Sequence, residues 1–527
     1  MPSNDLDRHR QEAKRLRRAF AAGDADAVRR VRAGLGDAAT PSADAATASA
    51  DAALPHAAAL HVIAREQGHA SWPRLKLAVE TAAMDRAARV ARLARALHLG
   101  QAWVVRALLE ADPELARATF DLEVATYDLD AVRARLAREP AAATASAAGR
   151  PPIAHLCFSQ YHRMAPERHD AMLAIAQLLV DHGADPNDGV PAEPGSAERL
   201  SLLYGALGHA GNLPLARWLL ERGADPNDFE SLYHATELGH RDGVALLLAH
   251  GADPRHTNAL LRAIDMDDAA MVRLLLEHGA DPDDPHAQGA DGRCSPTPPA
   301  LVHAARRFAS CEVVGLLLDH GADPARAWQG RDAYGTARVH GAEAVARVLA
   351  ARGHGRRLSA IEAALAACVA GGSPDAGRLD PTVLDPATLS PDERTLPHRL
   401  AARPGSLPAL RALFAAGLDP RHPDEQGMPP LHVALWEGLS DHVAFLLTLP
   451  HDLAHRNGYG GDALATLMHG AEFCPTAAER DHLGCARLLL AAGAVPDPEE
   501  VEACGDEAFV ELLRDHLDDR PRPARSG

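Results

Sequence analysis

The chain has 527 residues, with 54 Lys and Arg against 72 Asp and Glu, so its formal net charge is −18. Acidity of this kind favours solubility and argues against a general nucleic-acid binder. Hydrophobic residues make up 47% of the chain but aromatic residues only 4%, so the apolar side chains are mostly Ala, Leu and Val. Small side chains suit thin, closely stacked helices better than one large globular core.

The cysteines and the N-terminus indicate where the protein works. The seven Cys are dispersed and form no CxxC pair, which is typical of a reduced, intracellular protein. The first residues, MPSNDLDRHRQEAKRLRR, are charged and no apolar stretch follows them, so we expect no signal peptide. No run of about 18 apolar residues occurs, so we expect no membrane span. These features predict a cytoplasmic protein.

The N-terminal region shows helical spacing interrupted by one biased segment. Residues 4–20 alternate charged and apolar positions, and Asp24 is placed to cap a second helix. Residues 37–53 are rich in Ala, Ser, Thr and Asp, which predicts a linker or a frayed loop. The helical pattern resumes at Leu54, and Ser71-Trp72-Pro73 predicts the start of a further helix, with Ser71 as its N-cap.

From about Met84 the chain repeats itself. A leucine-rich helix end is followed by Gly and then Ala-Asp-Pro, with worn copies at 413–420 and 488–498. Glycine supplies the positive φ that ends a helix, and Pro forces the residue before it into extended backbone. The apolar stripe of one such helix pair cannot be buried alone, so neighbouring pairs must stack. The clear copies are LLVDHGADPND (178–188), WLLERGADPND (218–228), LLLAHGADPRH (246–256), LLLEHGADPDD (274–284) and LLLDHGADPAR (316–326).

These segments resemble the ankyrin repeat. The best copy, PPLHVALWEGLSDHVAFLLTL (429–449), has Leu431, His432, Ala434 and Gly438 at the positions that the family pattern requires. The resemblance covers about residues 84–498, although 358–395 is barely recognisable. It implies an all-α solenoid of about ten helix-pair units, with an N-terminal helical region and a C-terminal capping helix.

A second resemblance concerns HVIAREQGHASWPRLKLAVE (61–80). This segment is similar to a short helical segment, roughly IARE-G-SWP-LK, that precedes ankyrin repeats in many bacterial proteins. The resemblance implies a bacterial, cytoplasmic origin and no known activity. The segment is interpreted as a cap over the apolar face of the first repeat, and a separate interaction module is the alternative.

The predicted organisation has five parts. The insertions at 188–200 and 284–299 follow Gly-Ala-Asp-Pro, so they lengthen the turns between repeats. A stretch rich in Pro and Gly separates two stacks and is a candidate break or hinge. The parts are an N-terminal helical cap region with its linker (1–83), a first repeat stack (84–370), the break (371–395), a second stack (396–498), and a capping helix with tail (499–527).

The sequence predicts no catalytic, cofactor or metal site. Several of the 29 His directly precede the repeat Gly, where the side chain interacts with the last helix carbonyls. His155, His162, His169 and Asp170 are the strongest metal candidates, but no HExxH or paired CxxC pattern is present. No phosphate-binding loop and no G-x-S-x-G sequence occurs either. We therefore expect a protein that is not an enzyme.

What remains is a binding surface. In ankyrin proteins, partners contact the turns and the residues just before the glycine that ends the first helix. Trp436 is the most informative of these positions, because an exposed Trp is typical of an interface anchor, although packing on the neighbouring repeat is the alternative. Carried over to this chain, the candidate partner-binding residues are Glu237, Leu238, Asp265, Met266, Arg306, Arg307, Trp436 and Glu437.

The leading hypothesis is therefore a monomeric, non-enzymatic scaffold that binds a protein partner through a concave groove and its turns. The net charge predicts a basic face on that partner, and neither nucleic acid nor membrane is expected. Two alternatives stay open. One is an effector or enzyme-associated protein with its activity outside the repeats, and the other is an immunity- or antitoxin-like regulatory binder.

Overall fold

The computed structural model describes residues 2–35, 54, 56–146, 149–193, 196, 198–288, 293–371, 389–474 and 476–497, with 509, 512, 513 and 516. The chain divides into two compact units, Met1–Gly251 and Ala252–Gly527. Most of the predicted linker (37–53), break (371–395) and C-terminal region (499–527) lies outside the described residues.

The first unit consists of short α-helices joined by tight turns. Single turns of 3-10 helix lie at Pro113–Arg117, Pro140–Ala143, Tyr161–Arg163 and Pro166–Arg168, and a π-helical turn at Gly205–His209. The α-helices are α1 (Pro2–Ala21), α2 (Ala25–Leu35), α3 (His56–Glu66), α4 (Trp72–Ala82), α5 (Arg86–His98), α6 (Ala102–Ala111), α7 (Phe120–Ala125), α8 (Leu129–Arg138), α9 (Pro152–Cys157), α10 (His169–Asp181), α11 (Leu202–Tyr204), α12 (Leu213–Leu220), α13 (Ser231–Glu237) and α14 (Arg241–Ala249).

The second unit continues the same pattern, with one 3-10 turn at Ala477–Glu479. Its helices are α15 (Ala259–Asp265), α16 (Ala269–Glu277), α17 (Ala300–Arg307), α18 (Cys311–Asp319), α19 (Ala333–His340), α20 (Glu343–Ala351), α21 (Ala360–Val369), α22 (Pro391–Arg394), α23 (Leu396–Ala401), α24 (Leu407–Ala415), α25 (Pro430–Trp436), α26 (Ser440–Leu446), α27 (Ala463–Phe473) and α28 (His482–Ala491).

The N-terminal helices form a small core of their own, in which Leu16, Val31 and Ile63 are buried. Asp24 caps α2 as predicted, because its Oδ1 accepts the amides of Asp26 and Ala27 at 3.0 and 2.9 Å. Ser71 stands at the N-cap of α4 with extended backbone, but its hydroxyl makes no capping hydrogen bond.

Helices of successive repeats stack in two rows. In the second unit α15, α17, α19 and α21 pack one on the next, as do α16, α18 and α20, and later α25 with α27 and α26 with α28. The predicted stripe is confirmed, because Val272, Leu275 and Leu276 of α16 are all buried. Burying a Leu side chain contributes about 1.5–3 kcal/mol, so each repeat is stabilised mainly by the repeats beside it.

Helix ends follow the predicted design. The repeat glycines adopt positive φ, as Gly279 does at +93°. Before it, the His278 ring bonds the Leu274 carbonyl through Nδ1 at 2.8 Å, and His182 and His320 make the same contact. Where the first-helix glycine is replaced, Asp267 and Phe308 take the left-handed conformation themselves, at φ of 51° and 56°.

The core runs past the predicted break. Ala364, Leu365 and Cys368 of α21 belong to the same buried cluster as Leu396 and Leu400 of α23. That cluster also contains Phe509 and Leu513, so these two residues of the C-terminal region are buried against the second unit's core. Whether 371–395 acts as a break or a hinge stays a prediction.

The two insertions after Gly-Ala-Asp-Pro fold into short antiparallel hairpins. In the first, β1 (Gly189–Pro191) pairs with β2 (Arg199–Ser201), with Val190 opposite Leu200. In the second, β3 (His286–Gln288) pairs with β4 (Cys294–Pro296), with Ala287 opposite Ser295. In the part of the chain that the structure describes, the remaining regular elements are helices. Among the residues that the structure describes, no helix is both long and apolar enough to cross a membrane.

The first prediction concerns helix stops. A Cβ at Gly279 meets open space, yet φ of +93° strains any L side chain, so we expect Gly279→Ala to lower the free energy of unfolding by about 1–2 kcal/mol. Gly315, inside α18, also faces open space but has no positive φ. Gly315→Ala should raise the free energy by about 0.5–1 kcal/mol. Urea unfolding of both variants measures the difference, and equal effects would contradict the assigned role of Gly279.

Candidate functional site

Trp436 is the last residue of α25, and α27 of the next repeat passes directly beside it. Its ring centroid lies 5.2 Å from that of His469, and Phe473 lies a further 4.5 Å from His469. Gly470 makes this approach possible, because a Cβ there would lie 2.4 Å from the Trp436 carbonyl oxygen. The Trp436 carbonyl is bonded to His482 Nε2 at 3.0 Å. The backbone at Trp436 is therefore fixed by two neighbouring helices.

Trp436 and His469 both line a cavity of about 580 Å³. This volume falls in the range of about 300–1,000 Å³ that is typical of binding pockets. Beside the cavity the surface stays apolar, since Phe473 is 55% exposed. The cavity is lined by Met428, Trp436, Asn457, Tyr459, Gly461, Ala465, Thr466 and His469.

Tyr459 forms the rim of the cavity and is 80% exposed. The loop that carries it is fixed by Asn457, whose Oδ1 accepts the amides of Tyr459 and Gly461 at 3.0 and 3.2 Å. Asn457 Nδ2 donates to Thr466 Oγ1 at 3.0 Å, which ties the loop to α27. An exposed aromatic ring on a fixed loop loses little entropy when a partner covers it.

Glu437 follows Trp436 and its carboxylate lies 3.8 Å from the Cys474 thiol. In the repeat of α13, Glu237 is bonded to His234 Nδ1 at 2.9 Å, and Leu238 is 48% exposed. The hydrogen bond from Glu230, and then that from Glu237, raise the pKa of His234 despite its partial burial. Leu238 is therefore accessible to a partner, whereas the Glu237 carboxylate already accepts a hydrogen bond from His234.

The candidates on α15 and α17 are tied to one another. Asp265 accepts His303 Nε2 at 2.7 Å and Arg307 Nε at 2.6 Å. Burial alone would raise the pKa of Asp265, but His303 and the charge of Arg307 hold it below its usual value. Met266, beside it, is 48% exposed. Asp265 and Arg307 thus stabilise the contact between α15 and α17. Met266 is the exposed candidate of this group.

Arg306 points into a buried ionic cluster. Its Nη2 lies 3.1 Å from Asp392 Oδ1, and Arg399 Nη2 reaches the same oxygen at 3.1 Å. His340 Nε2 donates to Asp392 Oδ2 at 3.1 Å. The Asp392 side chain is only 8% exposed. Arg306 therefore forms an ion pair within the second unit, which could not be predicted from the sequence because Asp392 lies 86 residues away.

The electrostatics of this cluster favour the ionised carboxylate. Burial would raise the pKa of Asp392, but the His340 hydrogen bond and the charges of Arg306 and Arg399 hold it well below its usual value. Burial lowers the pKa of His340, so His340 is neutral at pH 7 and still donates its Nε2 proton. Burial, followed by the neighbouring Arg306 charge, lowers the pKa of Arg399 to about 10, which leaves it charged at pH 7.

One arrangement resembles a hydrolase triad and was not predicted. Ser406 Oγ lies 3.2 Å from His442 Nε2, and His442 Nδ1 lies 2.9 Å from Asp441 Oδ1. However, the Ser406 hydroxyl lies 2.5 Å from the Leu400 carbonyl and 2.7 Å from the Arg403 carbonyl, so it donates its proton to the backbone. His442 is 0% exposed and Ser406 is 9% exposed. A substrate therefore has no access to these groups, and their role is to fix the start of α24 against α26.

The weak metal candidates from the sequence do not converge. The rings of His162 and His169 are 6.4 Å apart, and His155 Nε2 lies 3.6 Å from a different carboxylate, that of Asp121. Within the described part of the chain, the group of potential ligands that does converge is His256, Asp284 and His286. Sequence reasoning missed it because two of its members lie in the turns of successive repeats.

Comparisons with known proteins agree with the repeat geometry. A family model described as ankyrin repeats (3 copies) matches residues 202–286, and one described as ankyrin repeats (many copies) matches residues 398–449. Mouse ankyrin repeat and SOCS box protein 16 is 37% identical over 135 residues, which are 25% of this chain and 29% of the mouse protein. The crystal structure of the human ASB11 ankyrin repeat domain aligns at 23% identity with a TM-score of 0.35, covering 46% of this chain and 99% of that domain.

The predicted fold class is confirmed, because the chain is helix-rich and contains ankyrin repeats. The aligned region spans less than a third of the mouse protein. Ankyrin repeats generally mediate protein–protein interaction and are typically not enzymes.

The second prediction concerns the buried carboxylate. Removing the charge of Asp392 leaves the half-buried Arg306 and Arg399 without their shared carboxylate, so Asp392→Asn should lower the free energy of unfolding at pH 7 by about 3 kcal/mol. The folded pKa lies below the unfolded value of about 3.9. The stabilisation is therefore present above about pH 4 and is lost as pH falls further.

Urea unfolding between pH 7 and pH 3 measures this difference. The control is Asp319→Asn, which breaks an exposed pair with Arg352 and should change stability little at either pH. A difference between wild type and Asp392→Asn that is independent of pH would contradict the ionic role.

Proposed function

We propose that the protein is a non-enzymatic scaffold that binds a protein partner, and that Trp436 anchors this partner in the second unit. The observation that supports the proposal is the cavity of about 580 Å³ between Trp436, Tyr459 and His469. Its wall is aromatic and its backbone is held by neighbouring repeats. Interface anchors are enriched in Trp and Tyr and occupy well-packed, central positions.

Neighbouring side chains favour a partner segment that presents an apolar residue. Phe473 extends the aromatic surface beyond the cavity, and Met428 adds a flexible apolar contact. Met adapts to irregular shapes, so the pocket suits a protruding side chain of a protein partner. Met266 is an exposed apolar residue at the repeat position of Glu437, and we propose that it extends the binding surface of the second unit. Leu238, at the same repeat position in the first unit, is proposed as a partner contact of that unit.

Charge supports a basic face on the partner. The formal net charge of the chain is −18, and Glu437 directly follows Trp436. Complementary charge speeds association and orients the partner more than it tightens the final complex. Of the predicted charged candidates, Glu437 is therefore the one assigned to partner contact. Glu237, Asp265, Arg306 and Arg307 are assigned lesser roles because each forms an ion pair within the chain, whereas Glu437 accepts a weaker hydrogen bond from the Cys474 thiol.

The setting we propose is the cytoplasm of a bacterium, with the protein acting as a monomer. The dispersed Cys and the similarity of 61–80 to segments of bacterial proteins support this setting. An immunity- or antitoxin-like binder would use the same surface, so gene neighbourhood in the native host distinguishes it from a general scaffold. An effector with activity outside the repeats would instead require residues 1–83, and deleting them would abolish its activity.

The third prediction tests the anchor. Partners captured by proximity labelling in the native host are purified, and their affinity for the full chain is measured by calorimetry. Trp436→Ala should weaken binding by about 2 kcal/mol or more, which is roughly 30-fold, because it removes the largest apolar contact. Trp436→Phe should retain most of the affinity.

The matched control is Trp103→Ala, since Trp103 is 38% exposed but lies on α6 of the first unit. Its affinity should equal that of wild type. Circular dichroism and the unfolding midpoint establish that each variant is folded. If folded Trp436→Ala binds as wild type does, Trp436 is not part of the binding surface.

The fourth prediction tests the charge of the partner. Raising the NaCl concentration from about 50 to 500 mM should slow association by about tenfold if the partner presents a basic face, because salt screens long-range attraction. Glu437→Gln should reduce this salt dependence and leave the dissociation rate almost unchanged. Stopped-flow measurements give both rates, and association that is insensitive to salt would exclude a basic partner face.

A further inference from the structure

Three potential metal ligands meet in the second unit, outside the Trp436 cavity. His256 lies in the turn before α15, Asp284 in the turn after α16, and His286 begins β3. One ligand atom from each lies within 4.8 Å of the others. The imidazole rings of His256 and His286 are stacked, with centroids 4.6 Å apart and planes inclined by 14°. His256 Nδ1 lies 2.9 Å from Asp284 Oδ1.

Backbone contacts hold this group in place before any ligand arrives. The His256 amide donates to Asp284 Oδ2, and the His256 carbonyl accepts the Gln288 amide at 2.8 Å. Thr297 Oγ1 donates to the Asp284 carbonyl at 2.9 Å, which anchors the far strand of the hairpin. His256 adopts φ of +60°, a conformation that is uncommon for residues other than glycine and that clusters at functional sites.

The ligand atoms are also accessible. The His256 side chain is 51% exposed and that of Asp284 is 14% exposed. The His286 ring is half-buried and stacks on His256, and it forms no hydrogen bond with the described residues, so its nitrogens are available. A half-buried carboxylate beside one exposed and one half-buried imidazole is thus held by main-chain contacts from both turns.

We propose that His256, Asp284 and His286 bind one divalent late transition-metal ion, of which Zn²⁺ is the best fit. Two imidazoles and one carboxylate are borderline ligands that suit zinc better than Mg²⁺ or Ca²⁺, which prefer sites built of oxygen alone. A tetrahedral Zn²⁺ holds its ligand atoms about 3.3 Å apart. Because the two imidazole rings are nearly parallel and each nitrogen lone pair lies in its ring plane, one ring has to turn out of the stack to bring its nitrogen to the ion. Coordination through His256 Nδ1 uses the tautomer of the neutral ring that carries its single proton on Nε2, and water completes the coordination.

The ion would join two successive turns. His256 belongs to one repeat and Asp284 with His286 to the next, so coordination adds a cross-link where a hydrogen bond and a stack exist now. The expected consequence is a higher unfolding midpoint for the second unit when the ion is bound. It would also fix the hairpin of β3 and β4 in one orientation.

The experiment uses the full chain after treatment with a chelator and dialysis. Titration with ZnCl₂ by calorimetry, and with CoCl₂ by visible absorption, should give one strongest site with a metal-to-protein ratio of about one. His286→Ala and His256→Asn should each weaken that site by at least about tenfold. Asn tolerates the left-handed backbone, so His256→Asn keeps the turn.

Two matched controls separate this site from others. His278→Asn removes an exposed His of the same repeat whose ring bonds its own helix, and Cys294→Ser removes the exposed thiol of the hairpin. Both should bind Zn²⁺ as wild type does. Unchanged affinity in folded His286→Ala and His256→Asn, or loss of the site in Cys294→Ser alone, would overturn the proposal.

Discussion

The structure depends on one constraint, which is that a single helix pair cannot cover its own apolar stripe. Leu275 and Leu276 of α16 are buried, and α16 packs against both α15 of its own pair and α18 of the next repeat. Because each pair must pack against the next, the second helix of each repeat has to end at the same position of the repeat. The left-handed glycine and the histidine that bonds the last carbonyls provide that end, as Gly279 and His278 do. Stability in such an array is roughly a sum of neighbour terms.

Turns of successive repeats are brought together by the same stacking. Asn187 bonds both the carbonyl of Gly223 and the amide of Asp225 in the next turn. Asp283 accepts the amide of Asp323, one repeat later, at 2.8 Å. Side chains at matching positions therefore become neighbours although about 30–40 residues separate them. Polar side chains in this fold therefore interact between repeats, and these interactions cannot be identified from the sequence of one repeat.

The sequence predicts the periodic part of the molecule well and the non-periodic part poorly. Helix ends, the buried stripe and the role of His278 follow from residues close in the chain, so local rules suffice for them. The position before the first-helix glycine is different. Trp436 was identified from its place in the repeat, whereas the engagement of Asp265 by His303 and Arg307 depends on which side chains the next repeat supplies. The same holds for Arg306, whose partner Asp392 comes from a segment with no repeat pattern.

His256 and Asp284 are the clearest example of a contact that depends on the neighbouring repeat. Each lies five positions after its repeat glycine, Gly251 or Gly279, so the register of the stack alone places them side by side. At the equivalent position other turns carry Asp188, Asp228 and Arg326. The same backbone position of the turn therefore holds different side chains in different repeats, and a histidine beside an acid is one of these combinations. The hairpin after Asp284 then adds His286 beside them, without disturbing the helices. The helices of a repeat must keep their apolar residues to preserve the core. New binding residues therefore arise in the turns, where a substitution does not expose the core.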